Sequence, residues 1–161
     1  MTSFLQTWAE GADVNRTPGE PLEHTASDVF RKRDVLPGDR IFVAEVVDRR
    51  LHLVGRMRVA ELVDAATAET KLHSTDLWDA RDHLIAEPGS ATQKVFNRQV
   101  PDNVARSLRF LQKTGRRGPG GRAAYARTTL KFDSAGGLDG QTTRTVRRLT
   151  EDSAEQLEQL L

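Results

Sequence analysis

Apolar and polar residues alternate most clearly between Val35 and Val63. Proline and glycine make Pro37-Gly38-Asp39 a turn signal, and Arg40–Val47 then alternates with many β-branched residues. After the polar break Asp48-Arg49-Arg50, a second alternating run covers Leu51–Val63. The pattern therefore predicts an antiparallel hairpin at the centre of the fold.

The second strand of this hairpin contains Gly55. A glycine inside a strand indicates a bulge or the close approach of another part of the chain. Simple alternation places Leu51, Leu53, Met57 and Val59 on the same face as this glycine. Because a bent sheet is typical of small barrels, we expect an α+β fold: a small, bent antiparallel β-barrel with peripheral helices and a helical C-terminal end.

Other periodic stretches predict strands and short helices around the hairpin. Predicted strands are Ser3–Trp8, Gln93–Phe96 and Ala124–Phe132. Predicted helices are His24–Arg33, a stretch within Ala60–Thr70, one opening at Pro101-Asp102, Leu138–Leu149, and an amphipathic one capped by Thr150. Gly115–Arg122 has four glycines and one proline in eight residues and predicts a mobile loop. We expect one domain spanning 1–161, with 133–161 as a helical C-terminal extension.

The composition limits the kinds of chemistry available to the chain. Its 161 residues include no cysteine, which excludes disulfides, thiolate nucleophiles and cysteine-based zinc sites. The sequence has no apolar run long enough to span a membrane, and Met1-Thr2-Ser3-Phe4 lacks the basic and apolar regions of a signal peptide. We therefore expect a cytoplasmic protein without a membrane partner.

Charge is distributed unevenly, although the formal net charge is only +1. Ala60–Gln93 has seven acidic and two basic residues, whereas Lys94–Lys131 has ten basic residues and one acidic residue. Such a basic block attracts polyanions through counterion release; the alternative is a solvated surface balanced by the acidic half. The candidate phosphate-binding residues are Lys94, Arg98, Lys113, Arg116, Arg117, Arg122 and Arg127.

The sequence contains no recognisable catalytic motif. Its four histidines lack metal-binding spacing, and there is no phosphate-binding P-loop, nucleophile elbow or dinucleotide fingerprint. Asp76, Asp79 and Asp82 recur every three residues, which favours a solvated acidic face over a metal site. We therefore predict a binding module without a metal or cofactor, and not an enzyme.

The Gly-Asp turn, the strand after it and the second strand with Leu-Val-Gly-Arg-Met-Arg-Val resemble the central hairpin of the PUA-like barrels. The similarity covers Ser3–Val63 and is greatest to the EVE branch and its YTH and ASCH relatives. Leu77–Leu161 resembles the tails of EVE-like specificity modules joined to HNH nucleases, through Leu-Asp-Gly-Gln-Thr and Leu-Thr-x-x-Ser-Ala. The resemblance implies recognition of a modified base, 5-methylcytosine or a relative, in duplex DNA, as the specificity part of a modification-dependent restriction system.

In the EVE and YTH branches the base enters an aromatic pocket at the barrel mouth, between the first strand, the following helix and later segments. Base flipping of this kind costs a few kcal/mol, which stacking and hydrogen bonds must recover. Trp8 and Trp78 match the aromatic residues, and Ser27 and Asp28 would supply polar contacts. The usual second tryptophan before the Gly-Asp turn is missing, so either Phe30 replaces one wall or the pocket is shallower.

Three other functions stay open. The same fold could bind RNA, because nothing in the residues separates RNA from DNA. It could be an ASCH-like RNA-processing enzyme whose site has no readable spacing. Finally, the leucine stripe at Leu157–Leu161 could bind a protein partner. In the restriction hypothesis, the partner is a nuclease, in the same chain or acting in trans.

Overall fold

The computed structural model describes residues 1–9, 17–143 and 145–161. These residues form an α+β fold with eight strands and three α-helices. The strands are β1 (Ser3–Trp8), β2 (His24–Ser27), β3 (Arg40–Val47), β4 (Arg50–Val63), β5 (Asp82–Ala86), β6 (Phe110–Arg117), β7 (Ala123–Thr128) and β8 (Arg147–Leu149). The helices are α1 (Ala65–Leu72), α2 (Asp102–Ser107) and α3 (Glu151–Glu158), with 3-10 turns at Arg31–Arg33 and Pro119–Gly121.

The strands form one sheet in the order β2-β5-β4-β3-β1-β8-β6-β7. The α+β class is therefore confirmed, but the expectation of a purely antiparallel sheet is wrong, because β1 and β3 pair in parallel. A parallel pair needs a long crossover, and the chain from Trp8 to Arg40 provides it by way of β2. The order is linear among the described strands, with β2 and β7 at its ends, and it does not establish a closed barrel.

The predicted bulge lies at Gly55. In the β3–β4 pairing Val43 is opposite Gly55 and Ala44 is opposite Leu53, so Val54 is the additional residue. A Cβ on Gly55 would lie 2.9 Å from Oγ1 of Thr92. The glycine therefore serves both predicted purposes, because it accommodates the bulge and admits a neighbouring segment.

The bulge also corrects the predicted facing of β4. Leu51 and Leu53 belong to one core cluster, whereas Val54, Met57 and Val59 belong to the other. An additional residue shifts the alternation of a strand by one position. The strand thus contributes apolar residues to both faces of the sheet, and the prediction of a single apolar face is wrong.

Each face of the sheet carries a core. The first cluster packs β-strand residues such as Phe42 and Phe110 against α2 and α3, including Leu157. The second contains Phe4 and Phe30, both buried. Burying a side chain of this size contributes roughly 1.5–3 kcal/mol. Leu157, Leu160 and Leu161 all pack into the first core, so the predicted leucine stripe is engaged within the fold.

The predicted helix over His24–Arg33 is wrong. His24–Ser27 forms β2, which pairs with β5, and only Arg31–Arg33 is a short 3-10 turn. Asp82 accepts hydrogen bonds from the backbone N–H of Arg31 at 3.0 Å and from its Nε at 2.9 Å. Pairing with a distant strand and a carboxylate from that strand's end therefore override the local helix signal.

The predicted helix over Leu138–Leu149 is also wrong; Arg144 lies outside the described residues. Arg147–Leu149 forms β8, which pairs with both β1 and β6. Threonine and valine precede this strand, and β-branched residues favour extended backbone. Segment 133–161 thus contributes one strand to the sheet, and among its described residues only Glu151–Glu158 is α-helical.

Smaller differences affect the loops. Gly115–Arg122, expected to lack regular structure, is instead the end of β6 and a compact turn into β7. Gly115, Gly120 and Gly121 have φ of 71–75°, which glycine adopts easily, so these glycines shape the hairpin. Gln93–Phe96 is not a strand; Gln93 makes only an isolated bridge with Pro21.

Candidate functional site

A basic groove of about 490 Å³ lies between the 3-10 turn at Arg31–Arg33, the β6–β7 hairpin and β8. Six basic and two acidic side chains line it, an excess of four positive charges. The basic residues are Lys32, Arg33, Lys113, Lys131, Arg147 and Arg148, and the acidic residues are Asp34 and Asp139. We call this feature the cationic groove.

Arg147 is the most enclosed cation in this groove. Its guanidinium lies 3.9 Å from the centroid of the Phe110 ring. It donates hydrogen bonds to Thr128 Oγ1 at 2.8 Å and to the carbonyls of Thr142 and Thr129 at 3.2 and 3.3 Å. All of these acceptors are neutral, and among the described residues no carboxylate pairs with Arg147.

The surroundings of Arg147 make its charge costly. Burial, and after it the positive charge of Arg33, lowers the pKa of the Arg147 guanidinium from its usual value. Arginine nevertheless stays protonated near neutral pH. A half-buried cation without a counter-charge attracts an anion into the groove, because the ligand supplies the charge that the protein lacks.

The groove's other cations are held differently. Arg33 donates from Nη2 to Thr145 Oγ1 at 3.0 Å. Lys113 forms an exposed ion pair with Asp34, and this hydrogen bond raises the pKa of the Lys113 amine. Exposed pairs of this kind contribute little to stability, so Lys113 can exchange its partner for a ligand at low cost.

One aromatic residue lines the groove at its exposed side. Tyr125, on β7, is 38% exposed. The guanidinium of Arg148 lies 4.9 Å from its ring centroid, and Nη1 of Arg148 donates to the Tyr125 hydroxyl at 3.1 Å. Tyr125 is paired across the strands with Lys113. An aromatic ring is thus held between cationic side chains.

A second, smaller cavity of about 200 Å³ contains both tryptophans. Trp8 and Trp78 meet edge to face, with ring centroids 4.9 Å apart and planes inclined by 71°. His24 stacks on Trp78, with centroids 5.7 Å apart. Acidic residues Glu20, Glu23 and Asp76 also line this space, together with Lys94. We call this feature the aromatic cavity.

The position of Trp8 is fixed by a buried chain of hydrogen bonds. Its Nε1 donates to Thr25 Oγ1 at 3.0 Å, and that hydroxyl donates to Gln6 Oε1 at 2.6 Å. Gln6 Nε2 then donates to the carbonyl of Ala26 at 2.8 Å. The Thr25 hydroxyl therefore holds the indole at the end of β1.

The edge-to-face contact limits what the aromatic cavity can hold. Sandwiching a base between two parallel rings needs roughly twice the 3.4 Å stacking spacing, about 7 Å. Trp8 and Trp78 are closer than this and are not parallel. A ligand in this conformation can therefore stack on at most one indole, and a cage of parallel tryptophans is not present.

The two cavities lie at opposite ends of β1. Phe4 lines the cationic groove and Trp8 lines the aromatic cavity. These residues are four positions apart on one strand, a separation of roughly 13 Å at about 3.3 Å per residue. The two cavities therefore meet β1 at different points along the strand.

Of the predicted base-binding residues, Trp8 and Trp78 are brought together. Phe30 is fully buried in the second core and lines neither of these two cavities. Ser27 accepts a hydrogen bond at 3.3 Å from the backbone of Val29, and Asp28 accepts one at 2.7 Å from the backbone of Arg81. Ser27 thus stabilises a local turn, whereas Asp28 joins two segments that are 53 residues apart, and neither residue lines either cavity.

The predicted phosphate-binding residues divide into two groups. Lys113 lines the cationic groove, and exposed Arg116, Arg117, Arg122 and Arg127 lie on the same hairpin or its turn. Lys94 and Arg98 lie elsewhere. Lys94 is buried in the aromatic cavity, 3.7 Å from Glu20, and Nη1 of partly buried Arg98 has no hydrogen-bond partner among the described residues.

Sequence reasoning missed the residues at the centre of the groove. Arg147 and Arg148 were placed in a predicted helix, and Lys32 and Arg33 in another. The alternation of Thr145, Val146 and the following residues was the available strand signal. Only the sheet topology shows that these two segments meet the basic hairpin.

Metal binding finds no support in the described part of the chain. No group of three or more histidine or acidic side chains there could hold a metal ion. Asp82, one of the three aspartates spaced three residues apart, instead forms an ion pair with Arg31. Within the same residues, no helix has the length and apolar character needed to cross a membrane.

Comparisons with known proteins do not assign the chain to a family. No family model, no curated protein and no solved structure matches it. The resemblance to PUA-like barrels therefore stays a prediction.

Proposed function

We propose that this chain is a nucleic-acid-binding module whose phosphate site is the cationic groove. The observation that carries the proposal is Arg147, an enclosed guanidinium whose hydrogen-bond partners are all neutral among the described residues. A phosphate oxygen would accept from this guanidinium by a charge-assisted hydrogen bond. The proposal assigns binding and not catalysis.

The wider surface supports a polyanion over a single small anion. The exposed arginines of the β6–β7 hairpin continue the positive charge away from the groove. Phosphates spaced along a strand can occupy the groove and the hairpin at the same time. Each neutralised phosphate releases counterions, so affinity should fall steeply with salt.

The experiment measures binding of fluorescently labelled oligonucleotides, DNA and RNA, at salt concentrations from about 50 to 200 mM. Arg147→Gln and Arg33→Gln should each weaken binding of all sequences similarly. Each should also reduce the slope of log affinity against log salt by about 1 for every phosphate contact removed. Arg33 is exposed and tests the groove without disturbing the contacts around Phe110.

Arg81→Gln is the matched control, because exposed Arg81 lies in the acidic stretch outside the groove. It removes the same charge and should leave the salt slope unchanged. If the unmodified protein binds no oligonucleotide at low salt, the proposal is wrong. If Arg81→Gln reduces the slope as much as the groove variants do, binding depends on net charge and the groove is not its site.

A second, narrower proposal concerns the aromatic cavity. We propose that it recognises a modified base, 5-methylcytosine or a relative, and that the chain is an EVE-like barrel in a restriction system. It is favoured by the meeting of Trp8 and Trp78 in one cavity with carboxylates at its side. Carboxylates accept hydrogen bonds from the exocyclic amine of cytosine. The base would stack on one indole.

Trp78→Ala tests this second proposal separately from the first. Binding to duplexes with and without methylated cytosine should differ for the unmodified protein and become equal for the variant. The salt slope should persist, because the groove lies at the other end of β1. Equal affinity of the unmodified protein for both duplexes would exclude modified-base reading and leave the groove proposal intact.

A further inference from the structure

Tyr125 is the only tyrosine in the chain, and it is one of three large hydrophobic residues exposed among the described residues. It lies on β7, at the edge of the sheet, and lines the cationic groove. Exposing an aromatic ring to water is unfavourable unless a partner covers it. Because it lies beside the proposed phosphate-binding cations, the partner it suits is a nucleic acid.

The ring of Tyr125 is held in place before any ligand arrives. Arg148 contacts the ring and its hydroxyl, and Lys113 is opposite it on β6. Arg127 lies two residues along β7 and so shares the face of that strand with Tyr125. A pre-positioned ring limits the conformational entropy lost on binding, and flanking cations suit the phosphates on either side of a base.

The volume of the cationic groove suits a short segment of a nucleic-acid strand. Its volume of about 490 Å³ is within the range of pockets that enclose small-molecule ligands. In a duplex, base faces are covered by their neighbours in the stack, whereas unpaired bases can be splayed onto aromatic side chains. From these observations we infer that the cationic groove takes single-stranded nucleic acid with one unpaired base stacked on Tyr125, an inference that rests on the proposed function.

The test compares oligonucleotides of about 12 nucleotides by fluorescence anisotropy at fixed salt. The probes are single-stranded DNA, single-stranded RNA, their duplexes, and a single strand in which the central bases are replaced by abasic sites. The proteins are the unmodified chain, Tyr125→Ala, Tyr125→Phe and Arg147→Gln. Tyr125→Phe is the matched control, since it keeps the ring and removes only the hydroxyl.

We expect both single strands, or one of them, to bind more tightly than the matching duplex. Tyr125→Ala should weaken single-strand binding about 5- to 150-fold, the equivalent of about 1–3 kcal/mol for one stacked base. Tyr125→Phe should retain most of the affinity. For the abasic strand, unmodified and Tyr125→Ala proteins should bind alike, because the stacking partner is already missing.

The failures of the two proposals are distinguishable. If Arg147→Gln weakens binding but the duplex binds as tightly as the single strands, the inference is overturned and the proposal for the cationic groove stands. The same holds if Tyr125→Ala binds single strands like the unmodified protein. If the unmodified protein binds none of the probes at low salt, the proposed function fails and the inference fails with it.

Discussion

His24 and His83 stack with ring centroids 5.1 Å apart, and Nε2 of His24 lies 2.9 Å from Nδ1 of His83. The other nitrogen of His83, Nε2, lies 3.0 Å from the carbonyl oxygen of Ala80. A carbonyl only accepts, so Nε2 of His83 must carry a hydrogen. In the neutral pair, Nδ1 of His83 is then the acceptor and His24 is the donor.

This assignment gives the first prediction. Nitrogen-15 correlation spectra of the two neutral rings should show His83 with its hydrogen on Nε2 and His24 with its hydrogen also on Nε2. His24→Ala should change the shift of His83 Nδ1, because its donor is lost, and leave Nε2 protonated. A neutral His83 with its hydrogen on Nδ1 would contradict the arrangement.

The second prediction concerns the hydrogen bonds beneath Trp8. Trp8→Phe removes one of the two side-chain hydrogen bonds of the buried Thr25 hydroxyl, the one from Trp8, and leaves the one to Gln6; loss of a buried hydrogen-bond partner costs about 1–3 kcal/mol. We expect a loss of at least this size in the free energy of unfolding, measured by urea denaturation. Tyr125→Phe is the control: it also removes one hydrogen bond, but at an exposed site, and should change stability little.

The third prediction concerns the bulge. Gly55→Ala would place a Cβ 2.9 Å from Thr92 Oγ1, and that oxygen accepts the backbone N–H of Arg56 at 2.8 Å. Displacing it should cost about 1–3 kcal/mol of unfolding free energy. Gly140→Ala is the control, since nothing lies within 4 Å of its Cβ position. Equal stability of the two variants would show that the segment bearing Thr92 moves aside freely.

The fourth prediction concerns pH and the start of α1. Hydrogen bonds from Thr67, first from its side chain and then from its backbone N–H, lower the pKa of Asp64 from its usual 3.8. The resulting stabilisation is complete above that value and is lost as pH falls through the lowered folded pKa. The Thr67 amide shift, followed by NMR, should titrate below 3.8; in Asp64→Asn this titration should disappear.

The fifth prediction compares the predicted phosphate-binding residues at the cationic groove with those that lie away from it. Lys94 lies in the aromatic cavity beside Glu20. Lys94→Gln should therefore leave oligonucleotide affinity within about twofold of the unmodified value at physiological salt, where distant charges are screened. Lys113→Gln, which removes a groove charge, should weaken binding more. The reverse order would place the phosphates at the other end of β1.

The central hairpin could be predicted because its signals are local. The turn at Pro37-Gly38-Asp39, the alternation of Arg40–Val47 and the bulge glycine are all contained within one stretch. β2 and β8 could not be predicted in this way, because each has only three or four residues. Their structure depends on pairing with strands far along the chain.

The same distinction applies to the candidate site. The run of basic residues correctly marked the β6–β7 hairpin as a cationic surface. Arg33 and Arg147 could not be joined to it, because segments far apart in the sequence form the groove. For Trp8 and Trp78, sequence reasoning identified a pair that does meet. It gave no information on the angle between their rings, which limits what can bind.

The three residues of β8 connect β1 to the β6–β7 hairpin, since Phe4 pairs with Arg148 and Phe110 pairs with Leu149. During synthesis, this hairpin emerges from the ribosome before the strand that attaches it to the rest of the sheet. Contacts between residues so distant along the chain form slowly. Assembly of the cationic groove, which needs Arg147 and Arg148, therefore requires β8 to be synthesised and paired with β1 and β6.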